Sequence, residues 1–243
     1  MHKFFVDPSS VEADIIKIRG EDSHHISRVL RLKEDDEVIV CDKNGIDYYC
    51  SVKSIEKDEV TVWILKKEVS KVEPPIEITL YQGVPKGDKL ETVIQKCVEL
   101  GAVAIVPVAM KRSVAVIKDK EKKQIRMQRI AMEAAKQCGR AKIPEVFKVM
   151  SFKEAIEHSG SYDLKILPYE AENETSLKKV LKDNTEAKKI AVFIGPEGGF
   201  DDEEVSIAKQ NGFEIVTLGP RILRTETAPL ACISAIMYEI GDW

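Results

Sequence analysis

The chain has 243 residues, of which 37 are Lys or Arg and 41 are Asp or Glu, giving a formal net charge of −4. The total charge therefore gives no argument for nucleic-acid binding, and a hydrophobic fraction of 44% allows one large or two modest domains. The five cysteines are odd in number and lack C-x-x-C spacing, which argues against disulfides or a zinc site and favours buried free thiols. Without a signal-peptide pattern or a membrane-length apolar run, we expect a cytoplasmic protein that holds no metal.

Residues 1–72 show the pattern of a small β domain. Two apolar runs flank Asn44-Gly45, which is a hairpin signal, and residues 59–68 form a further predicted strand. Residues 22–32 predict a short helix with Ser23 as its N-cap.

The same helix carries the basic cluster of this domain. His24 and His25 are sequence neighbours, so they diverge by about 100° on a helix and do not form a metal-binding pair. Arg28 and Arg31 follow them, and we predict that both contact RNA.

Pro74-Pro75 breaks the strand pattern as a stiff linker candidate, so we assign 1–72 to a first domain and 73–243 to a second. Beyond it, strands and helices alternate along the chain. Strands are predicted at 76–84, 104–110, 164–170, 189–195 and 214–219. Apolar runs of this kind suit a parallel sheet covered on both faces, which is an α/β fold.

Two helices of this second domain have clear limits. Residues 88–101 predict a helix with Asp88 and Glu91 in capping-box spacing and Gly101 as its stop. Residues 228–240 are apolar nearly all round, so we expect that helix to be buried or to lie at a subunit interface.

Charge concentrates in residues 111–150, which hold twelve Lys or Arg against four acids. Five of these cations recur at helical spacing and share one predicted face, opposite an apolar face. A solvated helix face would explain them, and so would a stripe that follows a phosphate backbone; the local surplus favours the second. The predicted RNA-binding stripe consists of Lys122, Arg126, Arg129, Lys136 and Arg140.

The stretch FIGPEGGFDDEEV, residues 193–205, follows a predicted strand but fits neither the Rossmann nor the Walker glycine pattern. Gly198 and Gly199 permit close approach of a backbone or a ligand. Asp201 is placed to cap a helix, with three more acids in the first turn, where carboxylates suit the positive end of the helix dipole. These acids occupy the place that a phosphate would need. The loop therefore predicts a ligand held by backbone groups and shape, such as an adenosine without phosphates.

A second loop, LGPRILRTETAPL at residues 218–230, also follows a predicted strand and leads into the apolar helix. Arg221 and Arg224 would be costly to leave unpaired if they were buried. A structural explanation pairs one of them with Glu226 and lets Thr227 cap the helix. A functional explanation directs Arg224 or Arg221 at an anionic or incipiently anionic substrate.

The pair GPEGGF and LGPRILRTETA resembles the RsmE family, which are 16S ribosomal RNA (uracil-N3) methyltransferases of the SPOUT superfamily. The resemblance extends over both predicted domains through HHISRVLRLKEDDEV, GVPKGDKLETVIQKCVELG, RSV and EAAKQCGRAKIPEV. It implies a PUA-like β-barrel followed by a SPOUT-type parallel-sheet domain with a deep trefoil knot, and a homodimer acting on the small ribosomal subunit.

The resemblance also implies that S-adenosylmethionine is the cofactor, bound in a bent form mostly through backbone groups of three loops. The residues so implied are Leu167, Pro168, Ile194, Gly195, Pro196, Glu197, Gly198, Gly199, Leu218, Gly219, Ile222, Leu223, Arg224 and Thr227.

Methylation of uracil N3 requires loss of a weakly acidic proton and alignment of the nitrogen with the methyl group. We expect Arg224 to stabilise the uracil anion, with Arg112 as a second group across the dimer. Glu197 or Glu226 could accept the proton, although a loop-ordering hydrogen bond and a salt bridge are equally good roles for them.

Three other functions stay open from the sequence. The chain could be a related SPOUT methyltransferase with another RNA target, because target choice depends on RNA shape. It could be a non-catalytic RNA-binding or ribosome-assembly factor, which the two intact loops disfavour. A small-molecule enzyme using another nucleotide is disfavoured by the missing Rossmann and Walker patterns.

Overall fold

The structure, a computed structural model, describes residues 1–114 and 119–243. The chain divides into two compact units, Met1–Glu73 with Ala135–Ile143 and Pro74–Ala134 with Pro144–Trp243. None of the helices in the described residues has the length and apolarity needed to cross a membrane.

A six-stranded mixed sheet forms the first unit. Its strands are β1 (His2–Phe5), β2 (Val11–Glu12), β3 (Ile15–Arg19), β4 (Glu37–Cys41), β5 (Ile46–Ile55) and β6 (Glu59–Val69). They lie in the order β1-β4-β5-β6-β3-β2, with β1 parallel to β4 and the other neighbours antiparallel. The predicted hairpin is confirmed, since Asn44-Gly45 lies in the turn that joins β4 to β5. Alternate strand residues such as Ile16, Val38 and Val62 form one apolar core.

The short helix of this unit is confirmed, but its predicted cap is wrong. Helix α1 (Glu21–His24) continues into a π-helical turn at His25–Val29. The N-cap position belongs to Gly20, whose φ of 71° suits glycine. Ser23 lies inside the helix and is buried, and its hydroxyl donates to the carbonyls of Gly20 and Asp58.

A parallel sheet forms the second unit, as predicted. Its strands are β7 (Glu77–Gly83), β8 (Ala104–Ala109), β9 (Glu145–Val146), β10 (Met150–Ser151), β11 (Leu164–Pro168), β12 (Lys189–Ile194) and β13 (Glu214–Val216). The order is β10-β8-β7-β12-β11-β13, and β9 pairs with β8 beside this path. Every pairing is parallel, so the carboxyl ends of the strands share one edge.

Helices connect these strands: α2 (Lys89–Glu99), α3 (Lys120–Gln137), α4 (Phe152–His158), α5 (Leu177–Asp183), α6 (Asp202–Gln210) and α7 (Ala228–Ile240). Helices α4 and α6 share an apolar core with sheet residues such as Tyr81 and Phe193, whose rings stack at 4.2 Å. Helix α7 packs instead against α2, α5, β7 and β12. The expectation that α7 is buried is confirmed for Cys232, Ile233, Ile236 and Met237, whereas Ala231 and Tyr238 are exposed.

Two smaller predictions need correction. Asp88 does occupy the N-cap position of α2, but its side chain makes no capping hydrogen bond. The carboxylate of Glu91 binds Lys123 and Arg126 of α3 instead of closing a capping box. Four cysteines are buried as expected, whereas Cys138 is exposed.

Candidate active site

The loop after β12 is packed tightly between neighbouring segments, as its glycines predict. A side chain at Gly198 would lie 3.0 Å from Cβ of Arg112. Gly199 has φ of 67°, and a Cβ there would collide with the Glu170 carboxylate. The positive φ of Gly199 favours glycine, and at Gly198 a side chain would require Arg112 to shift.

The acids after this loop cap α6, which confirms the prediction. Asp201 accepts from the amide of Glu203, and Glu204 completes a capping box with Asp201. Lys111 lies 2.9 Å from Asp201, and this hydrogen bond holds the pKa of the Asp201 carboxyl below its ordinary value. The acids at this helix start are therefore structural and leave no place for a phosphate there.

The loop after β13 crosses the carboxyl edge of the sheet. It begins beside the loop after β11, where the amide of Thr217 donates to the carbonyl of Thr175 at 2.8 Å. Strand β13 is an edge strand and β11 separates it from β12. Nevertheless the hydroxyl of Thr225 donates to the carbonyl of Gly195, which follows β12, at 2.7 Å. The loop must therefore pass over the end of β11.

The loops after β11, β12 and β13 line a cavity of about 430 Å³. Its position at the carboxyl ends of parallel strands is where open α/β sheets bind their ligands. The lining combines backbone of glycine-rich loops, apolar side chains and a few charged groups, which suits a small organic ligand. Predicted site residues in the lining are Pro168, Ile194, Gly195, Pro196, Glu197, Gly199, Leu218, Gly219, Ile222, Leu223, Arg224 and Glu226.

Lys89 joins the two predicted acids at this cavity. Its ammonium lies 3.1 Å from Oε1 of Glu197 and 3.3 Å from Oε2 of Glu226. Glu226 therefore pairs with Lys89. The alternative that the sequence allowed, a salt bridge from Glu226 to Arg221 or Arg224, is not observed among the described residues.

The electrostatics around Glu197 favour its carboxylate form. Partial burial opposes ionisation, but backbone amides, including that of Lys86, and the Lys89 ammonium hold the pKa of Glu197 below its ordinary value. The hydrogen bond to Glu197 in turn raises the pKa of Lys89. Glu197 thus orders the loop and is a poor proton acceptor near neutral pH.

Arg224 and Arg221 line the cavity and are exposed, so no cost of buried charge applies to them. Within residues 1–114 and 119–243, neither guanidinium has an ion-pair partner. The backbone carbonyl of Arg224 accepts from the amides of Thr227 and Ala228, which fixes the start of α7. Thr227 occupies the N-cap position without a capping hydrogen bond from its side chain.

Four predicted residues lie outside the lining. The Leu167 side chain is buried in the core, while Gly198 and Thr227 border the cavity loops. Arg112 lies beside the loop after β12 in the same chain, 3.4 Å from the carbonyl of Gly198 and 3.6 Å from Asp201. Further lining residues had no predicted site role: Lys89, Tyr169, Glu170, Asn173, Phe200, Thr217, Pro220, Thr225 and Ala228. Five of them, Lys89, Phe200, Pro220, Thr225 and Ala228, lie within segments that carry the family resemblance, whereas the loop after β11 carries no motif.

The predicted basic stripe is only partly exposed. Lys122, Arg126 and Arg129 are exposed on α3, and Arg126 also pairs with Glu91 at 2.9 Å. Lys136 is largely buried and pairs with Asp22 at 2.8 Å.

Arg140 lies beyond the end of α3 and is 4% exposed, so its place in the stripe was predicted wrongly. Its guanidinium binds both oxygens of Glu73, and Oε1 of Glu73 also accepts from the amides of Ala141 and Lys142. A buried arginine bonded in this way stabilises the first unit and is not available to RNA. Arg28 and Arg31 are exposed on the first unit.

The chain matches known proteins over nearly its whole length. Residues 72–237 match a family described as RNA methyltransferase domain, and residues 18–65 match one described as RNA methyltransferase PUA domain. The chain belongs to this RNA methyltransferase family.

Individual relatives cover nearly all of it. Ribosomal RNA small subunit methyltransferase E of Bacillus subtilis is 36% identical, over 98% of this chain and 97% of that protein. A structure of the Neisseria gonorrhoeae protein of the same name, bound to S-adenosyl methionine, is 31% identical with a TM-score of 0.90, covering 100% and 99% of the two chains. A Legionella pneumophila protein in complex with its cofactor SAM is 30% identical with a TM-score of 0.87, covering 99% and 98%. The cavity at the carboxyl edge is thus a feature of an RNA methyltransferase.

Proposed function

We propose that this chain transfers a methyl group from S-adenosylmethionine to N3 of a specific uridine in 16S ribosomal RNA of the small subunit. The observation that carries the proposal is the cavity formed by the loops after β11, β12 and β13 in a chain of the RNA methyltransferase family. Its relatives are named for the small ribosomal subunit, and one of them is bound to S-adenosyl methionine. A substrate of this kind places the protein in the cytoplasm.

The cavity fits the proposed cofactor in size and chemistry. A volume of about 430 Å³ lies within the range that holds drug-sized ligands. Ile194, Leu218 and Phe200 provide apolar lining for an adenine ring, and the adjacent loops offer backbone groups. Carboxylates of Glu170 and Glu197 face a ligand that carries a sulfonium and an ammonium. When bound, the cofactor supplies a methyl group activated by the positive sulfur.

Arg224 is the residue that we propose stabilises the uracil anion. Its charge has no partner in the described chain, and it lies in the cavity lining. Loss of the N3 proton spreads negative charge over the two uracil carbonyl oxygens, and a fixed guanidinium stabilises that charge. Arg221 lies in the same loop and is the second cation available there.

Glu226 is the better candidate for the proton acceptor. The carboxylate of Glu197 accepts from Lys86 and Lys89 and has a lowered pKa, so protonation of it is unfavourable. Among the described residues, Glu226 forms an ion pair with Lys89, at 3.3 Å. Arg112 keeps a supporting role beside Gly198, and a contribution across a homodimer stays part of the proposal.

RNA is proposed to contact the exposed cations of α3, Lys122, Arg126 and Arg129, and separately Arg28 and Arg31 of the first unit. The trefoil knot implied by the family resemblance is consistent with a loop after β13 that crosses the end of β11, and it stays a prediction.

Nucleoside mass spectrometry of ribosomal RNA tests the proposed function. Cells lacking this protein should lose 3-methyluridine from 16S RNA, and the wild-type chain should restore it. Restoration of a different methylated nucleoside would favour a related enzyme with another target. Unchanged methylation in the deletion strain would favour a non-catalytic assembly factor.

A further inference from the structure

Gln82 is a polar side chain inside the core beside the cavity. It lies near the end of β7 and has no exposed surface. Its Nε2 donates to the carbonyl of Gly83 at 3.0 Å and to the hydroxyl oxygen of Thr225 at 3.0 Å. Because a carbonyl only accepts, the contact with Gly83 fixes which end of the amide is the nitrogen.

Thr225 connects Gln82 to the loop after β12 through a second hydrogen bond. It is 6% exposed, and its hydroxyl donates to the carbonyl of Gly195 at 2.7 Å. A hydroxyl has one proton. Since the amide of Gln82 occupies a lone pair of Oγ1, the proton points to Gly195, and the chain of bonds has a defined direction.

We propose that Gln82 and Thr225 are positioning residues that set the shape of the cofactor cavity. The chain of bonds from Gln82 through Thr225 to Gly195, here called the latch, joins the end of β7, the loop after β13 and the loop after β12. Gly195 and Thr225 both line the cavity, whereas Gln82 stands behind them. The inference rests on the proposed binding of S-adenosylmethionine in this cavity.

A second set of contacts joins the same three segments at the surface. Lys89 follows β7 and binds Glu197 of one loop and Glu226 of the other, with side chains 36%, 29% and 26% exposed. Ion pairs that are partly open to solvent in this way are weakened by salt. The latch is neutral and buried, so its hydrogen bonds are insensitive to ionic strength. The ion pairs of Lys89, in contrast, can be replaced by contacts with a bound substrate.

Thr225→Val tests the latch, because valine keeps the shape and removes the hydroxyl. We expect the Kd for S-adenosylhomocysteine, measured by calorimetry, and the KM for S-adenosylmethionine to rise about tenfold, because both buried hydrogen bonds of this hydroxyl are lost. The value of kcat at saturating cofactor should change by less than about threefold, and Thr225→Ser should restore the KM. Thr185→Val, the same change at an exposed site, is the matched control.

Gln82→Glu tests the direction of the bonds. A carboxylate cannot donate to Thr225, so it competes with Gly195 for the hydroxyl proton, and the KM for the cofactor should again rise. Thermal unfolding of each variant separates this effect from loss of folded protein. Wild-type affinity in a folded Thr225→Val protein would overturn the latch while leaving the proposed function intact. Failure of the wild-type protein to bind S-adenosylhomocysteine would instead overturn the proposed function.

Discussion

Arg140 and Arg224 lie in segments that the sequence marks as functional, yet the structure gives them opposite surroundings. Arg140 is buried and its guanidinium is bonded to both oxygens of Glu73. Arg224 lies in the lining of the cavity, without an ion-pair partner in the described chain. The comparison shows that position near a motif does not reveal whether an arginine is held in the interior by a carboxylate of its own protein, as Arg140 is, or left exposed at a cavity, as Arg224 is.

The largest effect is expected from Arg224. Arg224→Ala should lower kcat by about 10²- to 10³-fold, because it removes the charge that stabilises the uracil anion. Affinity for S-adenosylhomocysteine should change little. Arg224→Lys keeps the charge but not the planar guanidinium, and it should recover only part of the rate. Turnover equal to wild type in Arg224→Ala would place the stabilising charge elsewhere.

Arg140 should affect stability and not chemistry. Arg140→Met leaves the Glu73 carboxylate half-buried without its cation, which should destabilise the first unit by about 2–3 kcal/mol. Denaturant unfolding measures the loss, and kcat per folded molecule should stay at the wild-type value. A fall in kcat without a fall in stability would mean that Arg140 serves catalysis.

The ion pair between Arg140 and Glu73 should also make the stability of the first unit depend on pH. Burial opposes ionisation of Glu73, but the Arg140 bonds and the amides of Ala141 and Lys142 hold its pKa below the ordinary value of 4.5. Because the pKa of Glu73 is lower in the folded than in the unfolded protein, its carboxylate form stabilises the fold above pH 4.5. This stabilisation is lost as the pH falls through the pKa of Glu73 in the folded protein. The stability difference between wild type and Arg140→Met should therefore shrink below about pH 4. A constant difference down to pH 3 would contradict this assignment.

Exposed cations of α3 should have an intermediate effect. Reversing Lys122, Arg126 and Arg129 to Glu should weaken RNA binding by about tenfold or more and reduce its salt dependence, with cofactor affinity unchanged. Reversal of three exposed lysines on α5, Lys178, Lys179 and Lys182, is the matched control for net charge. Equal losses in both triple variants would show a general charge effect and not a binding face.

The two paired acids should differ in their effect on the pH–rate profile. Glu197→Gln should leave the shape of the pH–rate profile unchanged, because Glu197 is held ionised by its donors. Glu226→Gln should lower the rate and remove the acidic limb of the profile if it accepts the N3 proton. An altered profile in Glu197→Gln alone would reverse the assignment of the two acids.

Local patterns predicted much of this molecule. The parallel sheet followed from apolar runs between helices, the Asn44-Gly45 hairpin from turn chemistry, and the Asp201 cap from the acids behind the glycines. The family resemblance, and not a local pattern, implied most of the lining that the loops after β12 and β13 provide.

Long-range partners could not be predicted in the same way. Glu91 has the spacing of a capping box, but Lys123 and Arg126, more than thirty residues away, hold its carboxylate. Gln82 and Thr225 are 143 residues apart, and no period or motif connects them. Arg140 fitted a helical spacing only on the assumption that α3 continued past Gln137. For Glu91 a tertiary contact outweighed a local preference, whereas for Arg140 the helix stop at Gly139, with φ of 76°, was overlooked.

The most direct test of the account is in vitro methylation with a labelled donor. Purified protein is incubated with small ribosomal subunits from the deletion strain and S-adenosylmethionine carrying a trideuterated methyl group, and the 16S RNA is digested to nucleosides for mass spectrometry. One labelled nucleoside is expected, 3-methyluridine carrying the trideuterated methyl group, and its yield should collapse in Arg224→Ala. Label on another nucleoside, or an unlabelled RNA with active cofactor present, would contradict it.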